Sequence, residues 1–232
     1  MSEGGCGYYA ERITRNHGFT DEGHRFSPEQ ITRVLAKGYR RFGYDYYRPY
    51  CRHCRECTPY RVLVQKFTLT RRFRRTLKRN ADLSVEWQKP RPTQEKFELY
   101  VRYQLARHKD VPEDQALRKD LAVAMVSQMY LNPDQTLELM IRDSSGLLGF
   151  AIFDRTLDSL SAVYSVFEPD ERGRSLGTFN ILCAIEKARA LNLPYLNLGL
   201  YLANHEKMSY KHDFQPAEVY SGFSWKPFLA AT

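Results

Sequence analysis

A chain of 232 residues with 43% hydrophobic and 27% charged side chains has the composition of an ordinary globular protein and enough apolar material to build a core without staples. No apolar stretch approaches the roughly 18 residues of a membrane span, and the start Met1-Ser2-Glu3-Gly4-Gly5-Cys6 lacks the basic-then-apolar pattern of a secretory leader. A cytoplasmic protein with no membrane partner is therefore expected. The formal net charge of +8 is uneven: residues 1–90 hold 19 Lys/Arg against 9 Asp/Glu, while residues 91–232 hold 16 against 18, which points to a polyanionic partner for the first part.

In chain order, Ser27-Pro28-Glu29-Gln30 predicts a helix start, with Ser27 as cap, Pro28 in the first turn and Gln30 closing a capping box. Ile31, Val34 and Leu35 form its buried stripe, and Gly38 ends it. Tyr60 to Phe67 alternates like a strand. Thr70 caps a second helix running to about Asn80. The stretch Trp87 to Pro92 predicts a boundary, and so a division into a basic, cysteine-containing region 1–90 and a second domain 91–232. Thr93 to His108 is predicted helical with Phe97, Tyr100, Val101 and Leu105 inward, and Ala116 to Tyr130 is a further helix. The period then changes to two. Thr136–Arg142, Leu147–Phe153 and Leu160–Phe167 are predicted strands of an antiparallel meander. A Gly/Arg-rich loop at 172–177, a helix at about 178–191 and a strand at Tyr195–Tyr201 complete an α+β plan.

Four segments carry candidate chemistry. The helix Thr70 to Arg79 puts Arg71, Arg72, Arg74, Arg75, Lys78 and Arg79 opposite Phe73 and Leu77, and residues 61–81 contain no acid. A solvated helix face ordinarily mixes signs because like charges four apart repel, so a single-sign face is read as built for phosphates. Nothing in it reads bases, so it would position RNA without selecting sequence. Cys51-Arg52-His53-Cys54-Arg55-Glu56-Cys57 gives three thiols at metal-ligand spacing, with Cys6 as a possible fourth ligand; four thiolates suit zinc or an iron–sulfur cluster, and three reduced thiols in a loop are the alternative. Pro169 to Thr178 combines glycines, Arg172, Arg174 and a helix start into an anion cradle. Asn204 to Pro216 is polar, aromatic and rich in titratable groups. Cys183 lies in an apolar helical stretch and is read as core.

Together these pieces resemble the arginyl/leucyl-tRNA–protein transferase family, above all its short bacterial branch. The matching segments are Cys6-Gly7-Tyr8, Tyr47-Arg48-Pro49 with Cys51, Cys54 and Cys57, Phe67 through Asp82, Leu160 to Tyr164, Arg174 to Phe179, Leu193-Pro194-Tyr195, and Lys207-Met208-Ser209-Tyr210-Lys211. The likeness runs from about residue 6 to 220. It departs at Tyr9, where longer relatives carry a second cysteine, and around Gly199-Leu200-Tyr201. The resemblance implies a GNAT-like acyltransferase fold that uses aminoacyl-tRNA instead of acetyl-CoA. It also implies acceptor proteins beginning with Asp or Glu, and a product that enters N-degron proteolysis. DNA is not expected as a partner, and no cofactor is required for transfer.

In that setting Tyr164 is expected to orient the reacting groups, and Glu168 and Asp170 are candidate proton acceptors. Arg174, with the Ser175 and Gly177 amides, would hold the tRNA 3′ end. Arg48, Lys207, Tyr210 and Lys211 would bind the acidic acceptor. No Ser–His–Asp or Cys–His pairing is visible, and an activated ester does not need one, so direct transfer without a covalent enzyme intermediate is expected. The donor stays open between leucine and arginine. Two other functions stay open as well: a zinc-ribbon-like RNA-binding protein without transferase activity, and an acetyl-CoA-dependent N-acetyltransferase.

Overall fold

The computed structural model describes residues 2–107 and 114–229. In chain order its elements are β1 (Ser2–Gly5), β2 (Ile13–Thr20), α1 (Pro28–Ala36), β3 (Arg40–Phe42), β4 (Asp45–Pro49), β5 (Thr58–Leu63), α2 (Arg71–Arg79), β6 (Ser84–Gln88), α3 (Gln94–Arg107), α4 (Gln115–Met125), β7 (Thr136–Asp143), β8 (Gly146–Arg155), β9 (Ser159–Phe167), α5 (Leu176–Ala190), β10 (Tyr195–Tyr201), α6 (Glu206–Ser209), β11 (Ala217–Tyr220) and β12 (Trp225–Pro227). The chain is an α+β protein. The last residue of the predicted 93–108 helix, His108, lies outside the described residues.

The chain forms two compact units that interleave in sequence: residues 1–68, 156–161 and 188–232, and residues 69–155 and 162–187. Helix α2 thus belongs to the second unit.

In the first unit, a four-stranded sheet of order β1-β2-β4-β3 is antiparallel throughout. Helix α1 carries the capping box that Ser27 and Gln30 announce, with Gln30 N donating to Ser27 Oγ and Ser27 N donating to Gln30 Oε1 at 2.8 Å. Its Ile31 and Leu35 pack with Tyr46. A second set of strands runs β12-β11-β5-β10, and β10 pairs in parallel with the first residues of β9 (Tyr195 opposite Ser159). A bulge between Asn197 and Gly199 breaks the β10–β5 register. Gly199 sits there at φ +75°, a conformation that a side chain disfavours.

In the second unit, the remainder of β9 lies beside β8, followed by β7 and β6. The β8–β7 and β7–β6 pairs are antiparallel. The core beneath is Leu99, Tyr100, Tyr103, Met125, Met129, Met140, Leu147, Phe150, Ile152 and Val166. Helix α4 runs into a π-helical turn, Val126–Tyr130, a departure from i→i−4 bonding that often accompanies a functional site. One buried ion pair crosses this unit: Lys96 Nζ donates to Glu138 Oε2 at 2.6 Å, with both side chains essentially out of solvent.

Strands β1 to β4, β6, β11 and β12 are not evident from periodicity. Strand β2 is Ile-Thr-Arg-Asn-His-Gly-Phe-Thr with no buried residue, so its strand state comes from pairing with β1 and β4 and not from an apolar face.

Candidate functional site

The basic helix forms as its sequence dictates. Thr70 accepts from Phe73 N, and Asn80 closes the C-terminus. Phe73 and Thr76 are buried, Leu77 is half-buried, and the six cationic residues are exposed. They are not equivalent. Arg74 donates to the Leu69 carbonyl at 2.7 Å, and Arg79 donates to the Gly173 carbonyl. Among the described residues the side chains of Arg71, Arg75 and Lys78 make no bond, which leaves three cations available to a polyanion.

The C-terminal end of this helix is stitched to the glycine/arginine loop. Asn80 Nδ2 donates to the Arg174 carbonyl at 2.9 Å. The Arg174 guanidinium in turn grips both Asp82 oxygens, at 2.9 and 3.0 Å, and Glu171 at 3.2 Å. That fork, above all the hydrogen bond, holds the Asp82 carboxyl below its usual value and raises the Arg174 guanidinium. Ser175 turns the chain in the left-handed region (φ 56°), and Ser175 O accepts the α5 bond from Phe179 N. A Cβ on Gly177 would come within 3.3 Å of the Phe167 ring, so a larger residue would press on the end of β9. The loop that sequence marks as an anion cradle therefore has its backbone fixed on α2. The Arg174 side chain is spent on Asp82 and Glu171, while Arg172 is exposed.

Helix α3 holds two residues of β9 and its exit. Gln104 Nε2 donates to the Tyr164 hydroxyl at 2.8 Å, and Tyr100 packs on the Tyr164 ring at 6.2 Å. Arg102 donates from Nε and Nη2 to Glu168 Oε2 at 3.0 and 2.9 Å, leaving Glu168 Oε1 buried without a partner. Asp170 is exposed. Beside Tyr164 lies a cavity of about 280 Å³ lined by Tyr100, Gln104, Leu105, Leu117, Leu121, Ala124, Gln128 and Tyr164. Its walls are aliphatic, its polar groups are two phenols and two amides, and among the described residues no carboxylate lines it. The π-helical turn contributes Gln128. The signal for this cavity in sequence is faint: Gln104 and Gln128 are polar positions in otherwise amphipathic helices.

In the first unit, Cys6, Cys51, Cys54 and Cys57 are all free and partly buried. Burial and the neighbouring Cys6, Cys54 and Cys51 sulfurs push the Cys57 thiol up to about 12. Arg12 Nη1 donates to Cys54 Sγ at 3.3 Å, and Arg15 N donates to Cys51 Sγ at 3.5 Å. The donor chemistry suits zinc or an iron–sulfur cluster, but among the described residues no three His, Cys, Asp or Glu side chains converge as a ligand set.

The same unit gathers the segment around 204–216 near the N-terminal Cys6-Gly7-Tyr8-Tyr9 stretch. The His205 ring meets Tyr8 and Tyr9 edge-on at 5.4 and 5.9 Å. Lys211 is buried, and its Nζ donates to the Leu200 carbonyl. Burial first, and then the Arg40 charge, pull its ammonium well below the usual lysine value. Tyr210 is exposed, and the phenols of Tyr47, Tyr8 and Tyr210 raise the Arg40 guanidinium. Lys207 is exposed on α6. Arg48 lies elsewhere: its guanidinium caps the Lys37 carbonyl at 2.7 Å and lies over the Tyr39 and Tyr220 rings. Arg40 is a neighbour that sequence reasoning did not single out, and Tyr8 and Tyr47 lie in segments that resemble the family without having been given a role.

Comparison with known proteins places this arrangement. A family model for the N-terminus of arginine-tRNA-protein transferase matches residues 4–75, and one for its C-terminus matches residues 95–221. The chain is 37% identical to an aspartate/glutamate leucyltransferase of Hahella chejuensis, covering 95% of this chain and 92% of that one. It is likewise 37% identical to an aspartate/glutamate leucyltransferase of Alcanivorax borkumensis, covering 96% and 90%. Among solved structures it is similar to a conserved protein of unknown function from Bacteroides thetaiotaomicron (TM-score 0.51, 14% identity, covering 70% of this chain and 57% of that one) and to a tandem GNAT protein of clavulanic acid biosynthesis (TM-score 0.45, 12% identity, covering 93% and 61%). Among the described residues no helix is long and apolar enough to cross a membrane. By the length and identity of these matches, the chain belongs to the arginyl/leucyl-tRNA–protein transferase family of aminoacyltransferases.

Proposed function

We propose that this enzyme transfers leucine from charged tRNA to the α-amino group of cytoplasmic proteins that begin with Asp or Glu, marking them for N-degron proteolysis. The observation that carries the reading is the junction of Arg79 and Asn80 with the Gly173 and Arg174 carbonyls. It puts three unbonded cations, Arg71, Arg75 and Lys78, on the same compact unit as the anion cradle and Tyr164, so one polyanion can follow the helix to the loop.

The chemistry required is modest. The donor ester is already activated, and an α-amino group with an ordinary pKa of about 8 needs only weak assistance to attack. The amine adds to the ester carbonyl, the tetrahedral intermediate collapses, and the ribose hydroxyl leaves with the proton. Tyr164, fixed by Gln104, orients the reacting groups. Glu168, held on one oxygen by Arg102, presents its other oxygen as a proton acceptor, and the exposed Asp170 is the alternative acceptor. The Ser175 and Gly177 amides and Arg174 hold the 3′ end. Arg174 acts there through its backbone and its fork to Asp82 more than as a free cation. Lys207, Tyr210 and Lys211 serve the acidic acceptor.

Leucine is favoured over arginine by the cavity beside Tyr164. A guanidinium placed among Leu105, Leu117, Leu121 and Ala124 would lose its hydration with no carboxylate among the described residues to replace it, whereas an isobutyl group gains by burial. Zinc or an iron–sulfur cluster on Cys6, Cys51, Cys54 and Cys57 would be a structural group and would require these thiols to draw together from their present positions; metal analysis of the purified protein tests it. The function is tested by incubation with a mixture of charged tRNAs and an Asp-starting peptide, read by mass spectrometry. Addition of 113 Da per peptide, about the residue mass of leucine, is expected for attachment through an amide. Addition of arginine alone would reject the donor assignment, and no addition would reject the function.

A further inference from the structure

Arg40 and Lys211 both meet β10 at adjacent residues, Arg40 beside Gly199 and Lys211 on the Leu200 carbonyl, and among the described residues neither has a carboxylate partner. Lys211 is 4% exposed, its one bond is to the neutral Leu200 carbonyl, and Arg40 Nε is buried without a hydrogen-bond partner. Burying two basic groups together without a carboxylate is costly; the Tyr47, Tyr8 and Tyr210 phenols offset part of that cost at Arg40, while the Lys211 ammonium is pulled well below the usual lysine value. The surroundings are shaped for Arg40 all the same. Gly199, on the β10 bulge, has no side chain where one would come within 2.7 Å of Arg40 Nε and 2.8 Å of its Cζ. Tyr47 of β4 is the direct cross-strand partner of Arg40, and its phenol, with those of Tyr8 from the N-terminal segment and Tyr210 after α6, raises the guanidinium.

Resting on the function proposed above, we infer that Arg40, with Lys211, is the seat of the acceptor's N-terminal Asp or Glu side chain, and that it sets the enzyme's preference for an acid at that position. The planar fork of arginine matches a carboxylate, the ammonium adds a second charge, and the phenols can donate to the remaining lone pairs. An acceptor carboxylate supplies the missing counter-charge on binding, so the site selects by charge instead of by size alone. An Asn or Gln side chain of the same shape leaves both cations uncompensated. An RNA phosphate carries the same charge, but the lysine here is buried, and the exposed, unbonded cations of α2 already serve a polyanion.

The test uses the full-length protein, Arg40→Gln, and Arg40→Lys as the variant that keeps the charge. Transfer to peptides beginning with Asp, Glu, Asn or Gln is measured alongside calorimetric binding of the same peptides without tRNA. In the wild type the Asp peptide binds in preference to the Asn peptide. In Arg40→Gln the KM for Asp and Glu peptides rises about tenfold or more, the size expected when a buried charge-assisted bond is lost, and the Asp-over-Asn preference shrinks. The KM for charged tRNA stays constant, and Arg40→Lys retains part of the preference. Unaltered acceptor discrimination in Arg40→Gln, or a raised tRNA KM with acceptor KM unchanged, overturns the assignment, the latter in favour of a phosphate site. If the wild type moves no amino acid yet binds Asp over Asn peptides through Arg40, the functional reading falls and the pocket stands. If Arg40→Gln does not fold, the comparison of Arg40→Lys with Tyr47→Phe in the binding assay decides the same question.

Discussion

Asn80, the residue that closes the basic helix, donates from Nδ2 to the carbonyl of Arg174 at 2.9 Å across 94 positions of sequence. The helix cap and the anion loop are thus one construction: whatever orients α2 also orients the backbone that begins α5. Arg174, the loop's most conspicuous cation, turns back to Asp82 and Glu171, so the free positive charge lies on α2 and on the exposed Arg172.

Arg71→Ala, Arg75→Ala and Lys78→Ala combined are expected to raise the KM for charged tRNA and to reduce the slope of log KM against log salt by about 2 to 3, near 0.7 to 0.9 for each phosphate no longer neutralised. KM for the acceptor peptide should not move. Arg74 and Arg79 bond to main-chain carbonyls, so their replacement should also lower thermal stability, which the triple variant should not. A salt slope in the triple variant equal to that of the wild type would show that the exposed face of α2 does not meet RNA.

The cavity beside Tyr164 makes a size prediction. Ala124→Phe fills part of its roughly 280 Å³, and kcat/KM for leucyl-tRNA should fall on the order of 10- to 100-fold, the scale of discrimination by an apolar pocket. Smaller donors, alanyl- or valyl-tRNA, should lose less. Binding of uncharged tRNA by filter assay should be unaffected, because α2 remains intact. Equal losses for leucyl- and alanyl-tRNA would place the donor side chain elsewhere.

Gly199 is required twice, by its φ of +75° and by the approach of Arg40. Gly199→Ala is expected to cost about 1–2 kcal/mol for the left-handed conformation alone, seen as a lower urea midpoint. It should also raise the acceptor KM by displacing the guanidinium, with the tRNA KM constant. A drop in stability without change in acceptor KM would mean that the Gly199 notch serves the backbone only.

What could be read from sequence follows the range of the interactions involved. Ser27 and Gln30, Thr70 and Phe73, and the apolar, turn-bounded runs of β7, β8 and β9 are local, and each yields the element it announces. Gly38 ends α1 at φ +76° as a helix-terminal glycine should. The strands of the β1-β2-β4-β3 sheet carry no such pattern, because their faces are largely exposed. The Arg40 cluster is legible only in part. Lys211 and Tyr210 stand out within a polar segment, but Arg40 is one arginine among many until the N-terminal segment, β4 and β10 bring Tyr8, Tyr47 and Gly199 around it. In the same way, Arg48 lies in a segment that resembles the family motif, yet its guanidinium is occupied by the Lys37 carbonyl and two aromatic rings.

Acid should destabilise the second unit through identifiable groups. Hydrogen bonds from Arg142, Arg118, Arg174 and Ser145 hold Glu95, Glu98, Asp82 and Asp143, respectively, below their usual carboxyl values. A carboxyl whose folded pKa is depressed contributes stability that is present above its unfolded value, about 4, and is lost as pH falls through the lowered folded value. The urea midpoint should therefore be flat from pH 7 to about 5 and fall below about 4. Glu95→Gln with Glu98→Gln should have a lower midpoint at pH 7 and a shallower acid decline. An acid decline as steep in that double variant as in the wild type would assign it to other groups.

The buried Lys96–Glu138 pair makes the strongest stability prediction. Glu138 accepts from Lys96 and Gln88 on Oε2 and from Tyr130 on Oε1, and Lys96 Nζ also donates to the Arg91 carbonyl at 2.8 Å. Lys96→Met removes the only cation bonded to Glu138 among the described residues and leaves a carboxylate at 0% exposure. Breaking a buried pair on one side costs about 3–5 kcal/mol, which is a large share of the stability of a typical domain. The variant should unfold at markedly lower urea. Lys96→Met combined with Glu138→Leu removes both charges and should recover much of the loss, since an apolar replacement of similar volume is often neutral. A double variant no more stable than Lys96→Met would mean that the Gln88 and Tyr130 bonds to Glu138, and not the charge balance, hold β6, β7 and the π-helical turn in place.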